Sequence, residues 1–219
     1  YLYDGCLKSL WKLIDDSLPD VIIGRTYKEA LPHTNDYLFD KCIVNNRNSG
    51  QLLKHMNKIN YPIVNCWSCI VKAEFLKSNN IRFIGSTIGE DQYFVMQILC
   101  LMKNYASFNS VFYYHRNRAG TLASLTGYLG AYSYLAVLMN MMVFKRINQF
   151  SLEKKQFIDN RIESVLGSLV LQIIFLEKED ISKLSIEDDL LFGELRNKLM
   201  ELKIIKKWGE SNHEILVGL

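Results

Sequence analysis

The sequence predicts an α/β fold: a mixed sheet with flanking helices in the first part of the chain, followed by an all-helical C-terminal region. Three observations predict it. Short apolar runs bounded by turn residues, such as "VIIG" and "SVFYY", alternate with stretches of helical period up to about residue 126. From Gly127 onward only long helical periodicity is left, which divides the chain into residues 1–126 and 127–219. The composition, 49% hydrophobic and 22% charged over 219 residues, is that of a folded globular protein and excludes a disordered one.

The elements follow in order. Residues 2–16 carry Leu7, Leu10, Trp11 and Ile14 on one face and are expected to form a helix. "LPDVIIGR" then supplies a turn at Pro19 and Asp20 and a short strand, Val21 to Gly24. In the polar segment that follows, "NNRNSGQLLKHM" reads as a loop, a cap at Ser49 and a helix from about Gln51. "YPIVNCWSCIVKAEFLKSNNIRF" reads as extended residues, a helix near Lys72 to Ser78, and a turn leading into a short strand at "NNIRF". Glu90 and Asp91 come next, between a glycine-rich turn and a buried helix that contains Phe94, Met96, Ile98 and Leu99. A β-rich run, Ser107 to Tyr114, ends in the basic loop "HRNRAGT", and the later helical pattern is interrupted at "FSLEKKQ".

Charge and cysteine usage exclude several function classes. The net charge is only +3, and no dense Lys/Arg stripe with interleaved aromatics occurs, so nucleic acid is not an expected partner. The small basic excess lies in residues 1–126, with 14 basic and 10 acidic side chains against 12 and 13 in the remainder. Five cysteines, an odd number in apolar surroundings, suit reduced thiols in the cytoplasm better than a disulfide framework. "CWSC" at Cys66 to Cys69 lacks two further ligands at zinc spacing and is read as core or near-core thiols. "YLAVLMNMMVF" and "VLGSLVLQIIFL" are shorter than the run of about 20 apolar residues that spans a bilayer, and read as helices that are buried or touch a membrane surface or a partner.

The adjacent carboxylates Glu90 and Asp91 admit two explanations. Acids in a first helical turn interact favourably with exposed N–H groups and the helix dipole, which is simple capping. Carboxylates at that position also suit a base that takes a proton from a hydroxyl. The surrounding motifs bear on the choice. "W-x-x-x-x-x-A-E-F-L-x-x-N-x-I-R-F" from Trp67, "G-E-D-Q-Y-F" from Gly89 and "V-F-Y-Y-H-R-N-R-A-G-T-L" from Val111 stand in one order. Together they resemble the second half of family 2 glycosyltransferases, bacterial enzymes of GT-A fold that build capsular and other surface polysaccharides.

The resemblance covers roughly residues 1–126. It implies a partial GT-A-like sheet forming the acceptor-side, catalytic half of an enzyme that transfers a sugar, with inversion, from a nucleotide-diphosphate sugar to a hydroxyl. Asp91 would be the base and Glu90 would hold an acceptor hydroxyl or a metal-bound water. Arg116 and Arg118 suit an electropositive lip over the diphosphate, the alternative being that they and His115 belong to a solvated basic loop. His115 would contact the diphosphate or ligate a metal, and Trp67 would stack on an acceptor sugar, unless it is a core Trp covered by Ile70 and Phe75. The acceptor would be a saccharide or a lipid-linked saccharide.

The family also carries a D-x-D motif whose carboxylates hold Mg or Mn on the donor. Here only Asp15-Asp16 and Asp188-Asp189 come near it, in helical or polar contexts. The chain opens "YLYDG", already inside an amphipathic pattern, so the expectation is a fragment that lacks the nucleotide-binding half and is inactive alone. The helical tail is expected to pack on the catalytic half and to form a homodimer or a peripheral contact with the inner membrane face. Two other readings stay open. One is a degenerate glycosyltransferase-like scaffold acting through that tail. The other is a metal-dependent hydrolase using Glu90, Asp91 and His115, for which His33, His55 and His213 stand in no defensible ligand spacing.

Overall fold

The computed structural model describes residues 2, 5–28, 49–59, 65–86, 88–115 and 128–178. Among them are helix α1 (Cys6–Ser17), strand β1 (Val21–Lys28), α2 (Ser49–Ile59), a 3-10 turn (Cys66–Ser68) and β2 (Cys69–Val71). Then come α3 (Ala73–Ser78), α4 (Glu90–Leu101), β3 (Tyr105–His115), α5 (Tyr128–Ile147) and α6 (Leu152–Lys178). The fold is α/β, mostly helical, around a small mixed sheet of order β2-β1-β3. β1 runs antiparallel to β2, with Val21 opposite Val71, and parallel to β3, with Val21 opposite Tyr105.

The apolar run "VII" follows from burial on both faces of the central strand. Val21 and Ile23 enter the main core, while Ile22 joins Cys6, Leu10, Phe108 and Phe112 in a smaller cluster under α1. Gly24 is required by close packing, because a Cβ there would lie 2.3 Å from a ring carbon of Phe112. Asp20 fastens the ends of all three strands. Its carboxylate accepts the backbone N–H of Lys103 at 2.9 Å and of Asn104 at 3.3 Å, and its carbonyl accepts that of Lys72 at 3.0 Å.

α4 runs through the centre. All of Phe94 to Cys100 is buried, including Gln97, whose Nε2 donates to the Arg82 carbonyl at 3.2 Å and so meets the requirement that a buried amide be bonded. Leu52 and Met56 of α2, Leu138 and Met141 of α5, and Ile158 and Val165 of α6 complete one core, which joins elements from both sides of residue 127. No helix among the described residues is long and apolar enough to cross a membrane.

The structure departs from the sequence reading in four places. α1 begins at Cys6 rather than residue 2, because Gly5 turns the chain at φ 74° and Leu2 forms an antiparallel bridge with Tyr113. β1 continues past Gly24 to Lys28, since a bulge around Arg25 lets it stay paired with β3. Ser49 lies in the first turn of α2, and its hydroxyl donates to the Lys103 carbonyl rather than capping the helix. No strand forms at "NNIRF": Asn80 adopts a left-handed φ of 51°, and Ile81 folds back to donate to the Leu76 carbonyl. Phe83 then stacks on Phe94 at 3.9 Å between ring centroids.

Candidate functional site

The acid pair owes its position to the turn before it. Gly89 holds φ 76°, and a Cβ there would also lie 3.0 Å from the Tyr134 ring, so backbone and neighbour both call for glycine. The Ser86 hydroxyl is within hydrogen-bond reach of the carbonyls of Ile88 at 2.9 Å and Ser133 at 3.3 Å, tying the turn to α5. Glu90 and Asp91 consequently occupy the first turn of α4, with the Gln92 N–H closing onto the Gly89 carbonyl at 3.0 Å.

Capping is present but does not dominate. The backbone N–H groups of Gln92 and Asp91, together with Arg161, favour the ionised carboxylate of Asp91. Burial, reinforced by the neighbouring Glu90, outweighs them and pushes Asp91 up to about 6. An acid serving only as a solvated cap would move the other way, because both the N–H groups and the dipole lower its pKa.

Three side chains face this pair from other elements. Arg161 of α6 is 4% exposed, and its Nη2 donates to Oε1 of Gln92 at 2.8 Å. Burial pulls the guanidinium down to about 10 while Asp91 pulls it back up, so it remains a cation at neutral pH. Tyr134 of α5 is pushed up by burial and then by Asp91. The Cys66 thiol, on the 3-10 turn, is raised by burial and then by Asp91 and Glu90. Next to Cys66, the half-buried Trp67 stacks on the imidazole of His115 with ring centroids 4.6 Å apart and planes at 24°.

Of the residues singled out in the sequence, Glu90 and Asp91 thus share one turn, and Trp67 and His115 form a stack beside a thiol that senses both acids. Arg116 and Arg118 lie outside the described residues, directly after the end of β3. Arg161, Gln92 and Tyr134 were not anticipated. Arg161 left one readable signal: it falls four residues after Phe157 and four before Val165, a charge on the apolar face of a helix.

Among the described residues no group of three or more His, Cys, Asp or Glu is placed to hold a metal ion. The hydrolase reading finds no ligand set among the described residues, and His33 and His213 lie outside them. The four described cysteines, Cys6, Cys66, Cys69 and Cys100, are free thiols. Burial pushes Cys69 up to about 12, which keeps the thiol protonated.

No protein-family model matches the sequence, and no curated protein matches it. Among solved structures, the chain is similar to S. aureus TarS 1-349 in complex with UDP-GlcNAc, at TM-score 0.48 and 14% identity over 89% of this chain and 52% of that one. The same TarS segment in complex with UDP gives TM-score 0.47 and 14% identity over 86% of this chain and 49% of that one. The chain spans about half the length of these structures.

Proposed function

We propose that the chain is the acceptor-side, catalytic half of an inverting glycosyltransferase of the family 2, GT-A-like type, with Asp91 as the base. The observation that carries this reading is the Asp91 carboxylate: set in the first turn of α4 by the G-E-D-Q-Y-F motif, largely withdrawn from water, and raised to about 6. A base is most effective when its pKa lies near the working pH, because it is then both ionised and able to hold a proton.

In this account Asp91 accepts the proton of an acceptor hydroxyl as that oxygen bonds to the anomeric carbon of the donor sugar. The bond from that carbon to the diphosphate breaks on the opposite face, which inverts the centre. Glu90 holds the acceptor hydroxyl toward Asp91. The Trp67 indole stacks on an acceptor sugar ring. Arg116 and Arg118 neutralise the departing diphosphate. No step is routed through Mg or Mn, and no described residue is assigned to the nucleotide. The free thiols suit a cytoplasmic setting.

The test is the pH dependence of sugar transfer, measured with the protein expressed from its full coding region. The reading expects kcat/KM to fall tenfold per pH unit below about 6, as Asp91 takes up its proton. A profile flat from pH 7 to 4 would remove Asp91 from the chemistry.

A further inference from the structure

We propose that the corner where α5 ends and α6 begins docks on an anionic lipid surface. The last turns of α5 leave apolar side chains in water: Met139, Met142, Val143 at 55% exposure and Ile147 at 72%. Their spacing of three, one and four residues keeps them on one side of the helix. Leu152, the first residue of α6, is 78% exposed beside them in sequence. A row of this kind at the end of two helices is more than the scattered surface hydrophobics that folded proteins ordinarily show.

The charges around this row are mainly basic. α5 contains no acidic residue and ends in Lys145 and Arg146. Arg146 and Lys155 line a surface recess with Met142, and Lys54 and Lys58 of α2 line another with Leu152. Of the nearby acids, Asp159 is paired with Lys145, and Glu153 lies in the first turn of α6, where the helix dipole favours it. Apolar side chains flanked by cations match the boundary between acidic headgroups and acyl chains.

A second copy of the chain fits less well. Antiparallel pairing of this row with itself, centred near Val143, would lay Lys145 and Arg146 over the partner's Met141 and Asn140, on a helix that carries no acid to receive them. Parallel pairing would set the cations against one another. α6 leads from this corner to Arg161, nine residues on, a span of roughly 14 Å at the helical rise. Docking at this corner would hold the Asp91 site close to the bilayer, within reach of a lipid-linked acceptor. This last point rests on the glycosyltransferase reading; the docking itself does not.

The experiment is co-sedimentation of the whole protein with phosphatidylcholine vesicles, with and without phosphatidylglycerol. The proposal expects pelleting only with the acidic vesicles, release by high salt, and a loss of at least tenfold in partitioning for Arg146→Glu combined with Lys155→Glu. Val143→Ser combined with Ile147→Ser should weaken binding at unchanged charge. Both pairs are on the surface, and circular dichroism confirms that they fold. Wild-type protein left in the supernatant, equal binding to neutral vesicles, or a charge-reversed variant that binds normally would overturn it. So would a solution dimer dispersed by the Val143 and Ile147 changes, or a row shielded by residues 179–219 such that their removal creates binding the whole protein lacks. Asp91→Asn should pellet like wild type, which separates failure of docking from failure of the catalytic reading.

Discussion

Arg161, buried in α6, donates from Nη2 to the Gln92 side-chain carbonyl at 2.8 Å, one residue beyond Asp91 in the first turn of α4. The bond joins the last long helix to the start of the central one and sets a permanent cation behind the acid pair. Arg161 lowers the pKa of Asp91 while burial raises it, so the two together set where the carboxylate titrates.

Replacing Arg161 should therefore have two effects. Arg161→Met leaves the half-buried Gln92 side-chain carbonyl without this charged donor and should cost about 1–3 kcal/mol in urea unfolding. It also removes a force that favours ionised Asp91, so the acid limb of the transfer profile should move to higher pH. A purely structural role for Arg161 would change stability and leave the limb in place.

Asp91 should be a stability liability at neutral pH. Its folded pKa of about 6 stands above the ordinary aspartate value of 3.8, so the folded state holds the proton more tightly than the unfolded chain. Between about pH 4 and 6 this group lowers stability as pH rises, and the loss is complete above 6. Asp91→Asn should raise stability at pH 7.5 by on the order of 1 kcal/mol, after allowance for solvent screening, and should flatten that part of the stability curve. Denaturant melts of both proteins at pH 4, 6 and 7.5 measure it.

Gly89→Ala should disturb both stability and site. The residue holds φ 76°, and the new methyl would stand 3.0 Å from the Tyr134 ring. The cost should be about 1 kcal/mol or more, with a fall in transfer beyond what the loss of folded protein explains, because the first turn of α4 must shift. Unfolding midpoints and specific activity, measured together, give both numbers.

Trp67 tests acceptor binding. If its indole carries a sugar ring, Trp67→Ala should raise the acceptor KM about tenfold with a smaller change in kcat, corresponding to roughly 1.4 kcal/mol of binding. Trp67→Phe should recover part of it. An unchanged KM in the alanine variant would make the stack on His115 its whole purpose.

The sequence revealed the parts of the fold that depend on local pattern. "VII" marked the central strand because both of its faces are buried, and the apolar run after Asp91 marked the central helix because it is enclosed nearly all round. Tertiary contacts decided what it concealed. "NNIRF" has strand-like composition, yet the left-handed turn at Asn80 and the Phe83–Phe94 stack hold it as an irregular segment. The acid pair was visible as a motif, but the balance that pushes Asp91 up arises from burial and from Arg161, seventy positions further along the chain. The Trp67–His115 stack joins two motifs that sequence could order but not bring together.

The most direct measurement compares Asp91→Asn with wild type in a transfer assay alongside donor binding, using protein from the full coding region. The account predicts donor affinity within about twofold of wild type and a turnover lower by about a hundredfold or more, the usual worth of a positioned base. Turnover near the wild-type rate would contradict it and leave Glu90 and Asp91 as caps of a buried helix.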